Sequence, residues 1–337
     1  MEQKKPVLGI ILGDHAGSSP EMAAKTVLAN DGRYTPVLIG NSGRFEISRS
    51  AVAGAERLEI RPLAGRPEFA GAQTAYFSEV PAGKDIQFSK ATPDSGRLIY
   101  QSIVRAIDLQ KQGVIDGILM APITKEALAA AGYKTCTEFD IFMEQFGVEK
   151  VRAVVCGGGI FRCTVVGHCA FSEIPSRLTT QGIIDTADCL VETMRKFLPP
   201  EQCKIAVAAL NPHAGEHGLY GDEEQTKIQP AVEALLAKGY DVIGPCPADT
   251  VFLKALNGQV GGVVFLYHDQ GNIAMKSVFF GDGVLIYTNI PANIVSVGHG
   301  PAYGKAGKGT ADPKNMIAAV EMLLTLTGNG ERAPLQP

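Results

Sequence analysis

Three histidines stand where the chain turns out of a short apolar run. The runs are Val263 to Tyr267 before His268, Thr164 to Val166 before His168, and Ile205 to Leu210 before His213. Runs of this length, rich in β-branched and aromatic residues, suit strands buried on both faces. Ligands of open α/β sheets sit in the crevice beyond the carboxyl ends of such strands. Three imidazoles gathered there, with one coordination position left open, would make a catalytic metal centre. A single histidine at a strand end is more commonly a hydrogen-bonded structural residue, so the threefold repetition of one local context carries the reading. His217 has the spacing of a helical ligand pair with His213, but Gly215 and Gly218 argue for a loop, and it falls outside the set.

The elements that must position these residues follow from patterning. Val7 to Leu12 is a strand, and GDHAGSSPE (13 to 21) is the turn after it. Pro20 and Glu21 suit a helix's first turn, where proline loses no hydrogen bond and a carboxylate meets the positive dipole end. Residues 61 to 95 read as irregular, and 96 to 112 carry a helical stripe of Ile99, Ile103, Ala106 and Ile107. Asp116 to Ile123 is a strand, and Lys125 to Ala131 a short helix. Arg152 to Cys156 and Phe161 to Val166 are strands joined at Gly157 to Gly159. No GxxxxGK[ST] is present, so a tight hairpin is preferred there to a phosphate loop. Ile183 to Phe197 is an amphipathic helix stopped by Pro199 and Pro200. A helix from 226 to 238, kinked at Pro230, follows the His213 loop, and 244 to 252 is a loop and helix start. Val284 to Thr288 is a strand, 297 to 313 a glycine-rich loop, and Asn315 to Leu326 the closing helix. Strands alternating with helices indicate a mostly parallel α/β sheet.

Composition narrows the function. The 337 residues are 45% hydrophobic and 20% charged, an ordinary globular balance. A formal net charge of −4 gives no reason to expect nucleic acid or an anionic membrane as partner. No run approaches a membrane span, and the apolar N-terminal segment, broken by Gly9, reads as a buried strand and not a signal peptide, so a cytoplasmic protein is expected. The seven cysteines are scattered and form no CxxC pair, which argues against a disulfide framework or a thiolate zinc site. A GxGxxG after the first strand is absent, so a Rossmann dinucleotide site is not supported.

Seven stretches together resemble the PdxA family, the 4-hydroxythreonine-4-phosphate dehydrogenases, which in turn look like the isocitrate and isopropylmalate dehydrogenases. They are GDHAGSSPE, APITKEAL (121 to 128), TEF (137 to 139), LNPHAGEHGLYGDEE (210 to 224), GPCPADTVF (244 to 252), YHDQG (267 to 271) and HGPAYGKAGKGTAD (299 to 312), in family order over nearly the whole chain. The resemblance implies an isocitrate/isopropylmalate dehydrogenase-like fold of two α/β/α domains with a cleft between them. Residues 1–125 with 300–337 would form a discontinuous cofactor-side domain, and 126–299 the metal, substrate and dimerisation domain. The family's three metal-binding histidines fall on His168, His213 and His268. It further implies a homodimer sharing the active site across the interface, and NAD or NADP lying against the GDHAG turn and the late glycine loop. Gly13, Asp14, His299, Gly300, Ala302 and Gly307 are the cofactor contacts so implied.

The chemistry would be oxidation of a hydroxyl β to a carboxylate, with decarboxylation of the β-keto product. A divalent cation (zinc first; magnesium, manganese, cobalt or nickel also admitted) would polarise the oxygen, and a nicotinamide would take the hydride. Asp249 and Asp269 are candidates to orient ligands or carry protons, though as loop carboxylates they could equally cap a helix or turn. Lys276 is a candidate anion contact, against an equal case for a solvated surface lysine. In the substrate pocket the sequence departs from the family: Cys136 precedes Thr137 where a histidine is usual. Leu285, Ile294 and Gly298 stand for a family Asn, Arg and Asp, and His15 and Ser19 for Pro and Gly. A phosphate ester would lose much of its cationic, hydrogen-bonding surface, so a less anionic hydroxy acid is expected. Four-carbon sugar-acid phosphates and a cyclic dihydrodiol carboxylate are the relatives' alternatives. Two other classes stay open: a three-histidine hydrolase or lyase without nicotinamide, and a non-catalytic ligand binder.

Overall fold

The computed structural model describes residues 5–133, 137–279 and 283–330. In chain order the elements begin β1 (Val7–Ile11), α1 (Ser19–Leu28), β2 (Thr35–Gly40), α2 (Ser42–Arg49), β3 (Glu59–Pro62), β4 (Thr74–Glu79), α3 (Pro93–Lys111), β5 (Gly117–Met120), α4 (Lys125–Ala130) and α5 (Glu138–Phe146). Then come β6 (Arg152–Gly157), β7 (Ile160–Val166), α6 (Ile174–Arg177), α7 (Thr180–Phe197), β8 (Ile205–Ala208), α8 (Gln229–Ala237), β9 (Val242–Cys246), α9 (Ala248–Leu256), β10 (Gly262–Tyr267) and α10 (His268–Val278). Strands β11 (Val284–Thr288) and β12 (Ile294–Val297) precede helix α11 (Lys314–Leu326).

The first compact unit comprises Met1–Val151 with Val284–Gly330. Its strands run β3-β4-β2-β1-β5-β12-β11, parallel throughout except for the antiparallel β11–β12 pair. All five residues of β1 are buried, as expected of a parallel strand with both faces covered. Helix α3 starts on a capping box between Thr92 and Ser95 and buries Leu98, Ile99, Ile103, Ala106 and Ile107. Strand β4 forms inside the stretch expected to be irregular, where Gly71 and Pro81 hide a short alternating segment. Strand β12, only four residues long, was too brief for its periodicity to be read.

The second unit is Arg152–Gly283, with strand order β6-β7-β10-β8-β9. Only β6–β7 is antiparallel among these pairs. Gly158 and Gly159 take left-handed φ values of 54° and 79° in its turn, the hairpin that consecutive glycines predict. Helix α7 is capped by Thr179 and buries Ile183, Ile184, Ala187, Val191, Met194 and Phe197. Two expectations change. Pro230 sits in the first turn of α8 and starts that helix after a π turn at Glu224–Ile228. Strand β9 occupies part of the expected 244–252 loop; its proline is tolerated because β9 ends the strand order. The chain after His268 is helical despite Gly271, whose missing side chain lets the helix lie on Phe265.

The chain passes between units at 151/152 and 283/284, against expected crossings at 125/126 and 299/300. Packing on α3 keeps α4 and α5 in the first unit: a Cβ on Gly96 would lie 1.9 Å from the Ala127 carbonyl oxygen, and Tyr100 stacks on Tyr133 at 4.2 Å. Strand β12 joins the same unit by pairing with β5, Val295 opposite Leu119.

Candidate functional site

The histidine-bearing half lies in the second unit. Strands β7 and β10 run parallel with Tyr267 opposite Val166, so the chain leaves both at one end of the sheet. His168 and His268 meet there, ring centroids 4.6 Å apart and tilted by 41°. Asp269 Oδ1 lies 2.7 Å from His268 Nδ1, and Glu216 Oε1 lies 2.8 Å from His213 Nδ1. A carboxylate on Nδ1 favours the tautomer that leaves Nε2 as a lone-pair donor, the usual support of a metal-ligating imidazole. His213 starts five consecutive residues with left-handed φ, 54° at His213 to 58° at His217, and both of these histidines are exposed. The structure does not bring His213 into one ligand set with the other two. Among the described residues no group of three or more His, Cys, Asp or Glu side chains is placed to hold a metal ion within one chain.

Two residues that hold this half together were not singled out from the sequence. Gln270 accepts a hydrogen bond from the Leu266 amide and donates to the Ala209 carbonyl, both at 2.8 Å, tying the ends of β10 and β8. Buried Glu224 accepts from the Leu210 and Asn211 amides at 2.8 Å and from the Asn211 side chain at 2.9 Å, fixing the segment before His213. Both lie inside quoted motifs, but their roles depend on partners that spacing does not reveal. Asp269 is exposed, with its carboxylate turned to His268. Asp249 is exposed in the first turn of α9 and Lys276 is exposed in the last turn of α10, positions that suit each helix's dipole.

The first unit carries the proposed cofactor residues. Gly13 has φ 66°, and a Cβ there would lie 2.4 Å from the Pro122 carbonyl oxygen. Asp14 is wholly buried: its carboxylate accepts from the Ala16 amide at 2.9 Å, the Tyr303 hydroxyl at 2.8 Å and the Thr124 hydroxyl. Burial and the nearby Asp14 charge hold the Tyr303 phenol well above its ordinary range, so Tyr303 is the donor. Ser18 donates through its amide at 2.8 Å and its hydroxyl at 2.9 Å to the Pro301 carbonyl. Glu21, also wholly buried, accepts from the Gly307 amide at 2.5 Å and the Gly309 amide at 2.8 Å. The GDHAG turn and the late glycine loop are thus built as one structure.

His15 is buried between the Gly13 carbonyl and the Asn41 amide, and burial lowers its pKa to about 4, so it stays neutral. The amide of Gly307 serves Glu21, which makes that glycine a loop anchor. Gly300 and Ala302 are exposed, and nothing lies within 4 Å of a Cβ on Gly300. Half-buried His299 turns Nδ1 to the Gly300 carbonyl at 3.0 Å. Small exposed residues of this kind let a nucleotide approach the backbone closely.

The substrate-pocket candidates divide. Cys136 lies outside the described residues. Thr137 caps α5, its hydroxyl 2.6 Å from Asp140 Oδ2 and 3.3 Å from the Asp140 amide, so its first role is structural. Leu285 and Ile294 sit in the β11–β12 ladder opposite Ser296 and Tyr287, with Ile294 fully buried.

Comparison with known proteins bears on this arrangement. The family model described as "Pyridoxal phosphate biosynthetic protein PdxA" matches residues 33–323. A 4-hydroxythreonine-4-phosphate dehydrogenase of Desulfosudis oleivorans is 35% identical over 327 residues, covering 95% of this chain and 96% of its own. A D-threonate 4-phosphate dehydrogenase of Cupriavidus necator is 34% identical over 329 residues, 95% and 97% of the two chains. The crystal structure of 4-hydroxythreonine-4-phosphate dehydrogenase from Klebsiella pneumoniae superposes with a TM-score of 0.82 at 28% identity, covering 97% of this chain and 99% of that one. With motifs, fold and near-full-length similarity in agreement, the chain belongs to the PdxA family.

Proposed function

We propose that the protein is a metal- and NAD(P)-dependent dehydrogenase that oxidises a β-hydroxy acid at its CH–OH carbon and then decarboxylates the β-keto product. The observation that carries this reading is the His168–His268 pair at the shared end of β7 and β10, with Asp269 behind His268. The donor chemistry fits a divalent cation: three imidazoles, two of them backed by carboxylates, which suit zinc first. His168, His213 and His268 would hold it, with a second copy of the chain contributing to the set. Large apolar side chains of the second unit are exposed, among them Phe171, Leu219, Tyr220, Leu253, Ile273 and Val278, which supports a homodimer that buries some of them. No helix among the described residues is long and apolar enough to cross a membrane.

When bound, the cation would supply Lewis-acid polarisation of the hydroxyl and later of the keto oxygen; NAD or NADP would supply the hydride acceptor. The chain's own residues do the rest. Asp269 and Glu216 hold two imidazoles in orientation. Asp249, an exposed carboxylate, can take the hydroxyl proton and return one to the α-carbon after carbon dioxide leaves. Lys276, at the other end of α10 from His268, supplies positive charge for an acidic group. Gly300, Ala302 and His299, braced by Ser18, Glu21 and Asp14, would receive the nucleotide.

The substrate is proposed to be less anionic than the phosphate esters of the relatives named above, because Cys136, Leu285 and Ile294 replace three polar family residues. The relatives' names favour the second reading, a 4-hydroxythreonine-4-phosphate or D-threonate-4-phosphate dehydrogenase. Steady-state kinetics separates the two. A high kcat/KM on 4-phosphohydroxy-L-threonine, with non-phosphorylated hydroxy acids poor, would overturn the changed-substrate reading. The reverse order supports it.

A further inference from the structure

Arg162 lies on β7, on the same face as Ile160 and opposite Val263 of β10, in the apolar layer that Phe265, Met275 and Phe279 complete beneath α10. The residue is 93% buried by its 7% exposure. Its guanidinium donates at 3.2 Å to the Thr164 hydroxyl and at 2.7 Å to Asn272 Oδ1, both neutral acceptors, and its Nε is buried with no partner. Among the described residues no carboxylate pairs with it, whereas Arg152, the other buried arginine of this unit, approaches Asp185 at 3.8 Å. A buried cation left with neutral partners is strongly disfavoured, and folds keep one where an anion joins it.

The surroundings say where that anion would come from. Asn272 relays from Arg162 to the helix that carries the histidine, donating from its side-chain amide to the His268 carbonyl at 3.0 Å. Lys276 lies one turn further along α10, and the positive end of that 11-residue helix is at His268 itself. Arg162, tied to α10 through Asn272, and the positive start of that helix thus lie toward the imidazoles to which a hydroxy acid would be brought, with the Asp269 carboxylate facing His268 and Lys276 exposed at the helix's far end.

We infer that Arg162 is an oxyanion-binding residue that pairs with the acidic group of the substrate, a carboxylate or a phosphate monoester, at the His168–His268 end of the second unit. This rests on the hydroxy-acid reading above. It explains how a chain with Cys136, Leu285 and Ile294 in place of polar family residues keeps an acid-recognising charge.

The test is direct binding to the full-length protein, measured without turnover. The probes are 3-hydroxybutyrate, its neutral amide, and inorganic phosphate. In the wild-type protein at least one of the two anions binds about tenfold or more tightly than the amide. Arg162→Met abolishes that preference and leaves amide binding within about twofold. Arg162→Lys restores part of it. Whichever anion loses affinity identifies the recognised group. Replacing a buried, unpaired cation by an apolar side chain leaves the unfolding midpoint unchanged or raised. Should the Met variant fail to fold, Arg162→Gln keeps a polar side chain there without the charge and is expected to show the same loss. Equal anion binding by wild type and the uncharged variants overturns the inference, as does no anion preference in the wild type. Charge-selective binding without any NAD(P)H formation would refute the dehydrogenase reading and leave the role of Arg162 intact.

Discussion

Glu21→Ala should cut the tie that holds the late glycine loop in place. The wild-type carboxylate is wholly buried and receives the Gly307 and Gly309 amides at 2.5 and 2.8 Å. Hydrogen bonds to a charged group contribute about 1.5–3 kcal/mol each, so losing both costs about 3–6 kcal/mol at most. Other ties remain: Ser18 to Pro301, Tyr303 to Asp14, and Lys25 Nζ to the Gly309 and Ala311 carbonyls at 2.8 and 2.6 Å. The loop therefore loosens and does not detach, and a net loss of about 3 kcal/mol is expected. For 337 residues that corresponds to a fall of roughly 4 °C in the unfolding midpoint. Glu21→Gln keeps one acceptor oxygen and should fall in between. The assay pairs thermal unfolding with equilibrium binding of NAD and NADP. Nucleotide affinity should drop about tenfold or more while affinity for a hydroxy acid is unchanged. Wild-type nucleotide affinity in a variant with a lowered midpoint would refute the assignment of this loop to the cofactor.

Three further outcomes follow from the same structure. Burial lowers His15 from the ordinary 6.5 to about 4 when folded. Its folded pKa is depressed, so the unfolded chain binds the extra proton first and stability falls as pH drops below about 6.5. Denaturant unfolding should lose about 2 kcal/mol from this residue between about pH 7 and pH 5, a loss that His15→Asn removes; an unchanged pH slope in that variant contradicts the assignment. Gly13→Ala, forced to φ 66° with a Cβ 2.4 Å from the Pro122 carbonyl oxygen, should lower both the unfolding midpoint and nucleotide affinity, and normal values for both would count against it. Asp269→Asn, which keeps the side chain's shape but removes the negative charge behind His268, should weaken divalent-cation binding by about 10–100-fold, read by competition with a chromogenic chelator.

Much of the fold was legible where the pattern is long and one-sided. Helices α3 and α7 declare themselves through apolar residues at helical spacing, and the β6–β7 turn through its glycines. The strand ends before His168 and His268 were legible for the same reason, and their rings do meet. Short elements were not: β12 has four residues, β9 carries a glycine and a proline, and Gly271 obscures α10. The role of Glu21 was hidden for a different reason. A carboxylate in a helix's first turn already has a sufficient local explanation in the dipole, while its actual partners lie 286 and 288 residues away. Arg162 was invisible because one cation in an apolar strand acquires meaning only from what does and does not surround it.

Metal-dependent oxidation at the histidine pair is tested most directly by nicotinamide absorbance, followed with chelator-stripped protein, a panel of hydroxy acids and either nucleotide, before and after a divalent cation is restored. Reduced nicotinamide should form only once the cation is back, and His268→Ala should abolish it. Formation that proceeds equally without the cation, or none on any hydroxy acid with it, would contradict the claim that these imidazoles serve the oxidation of an alcohol.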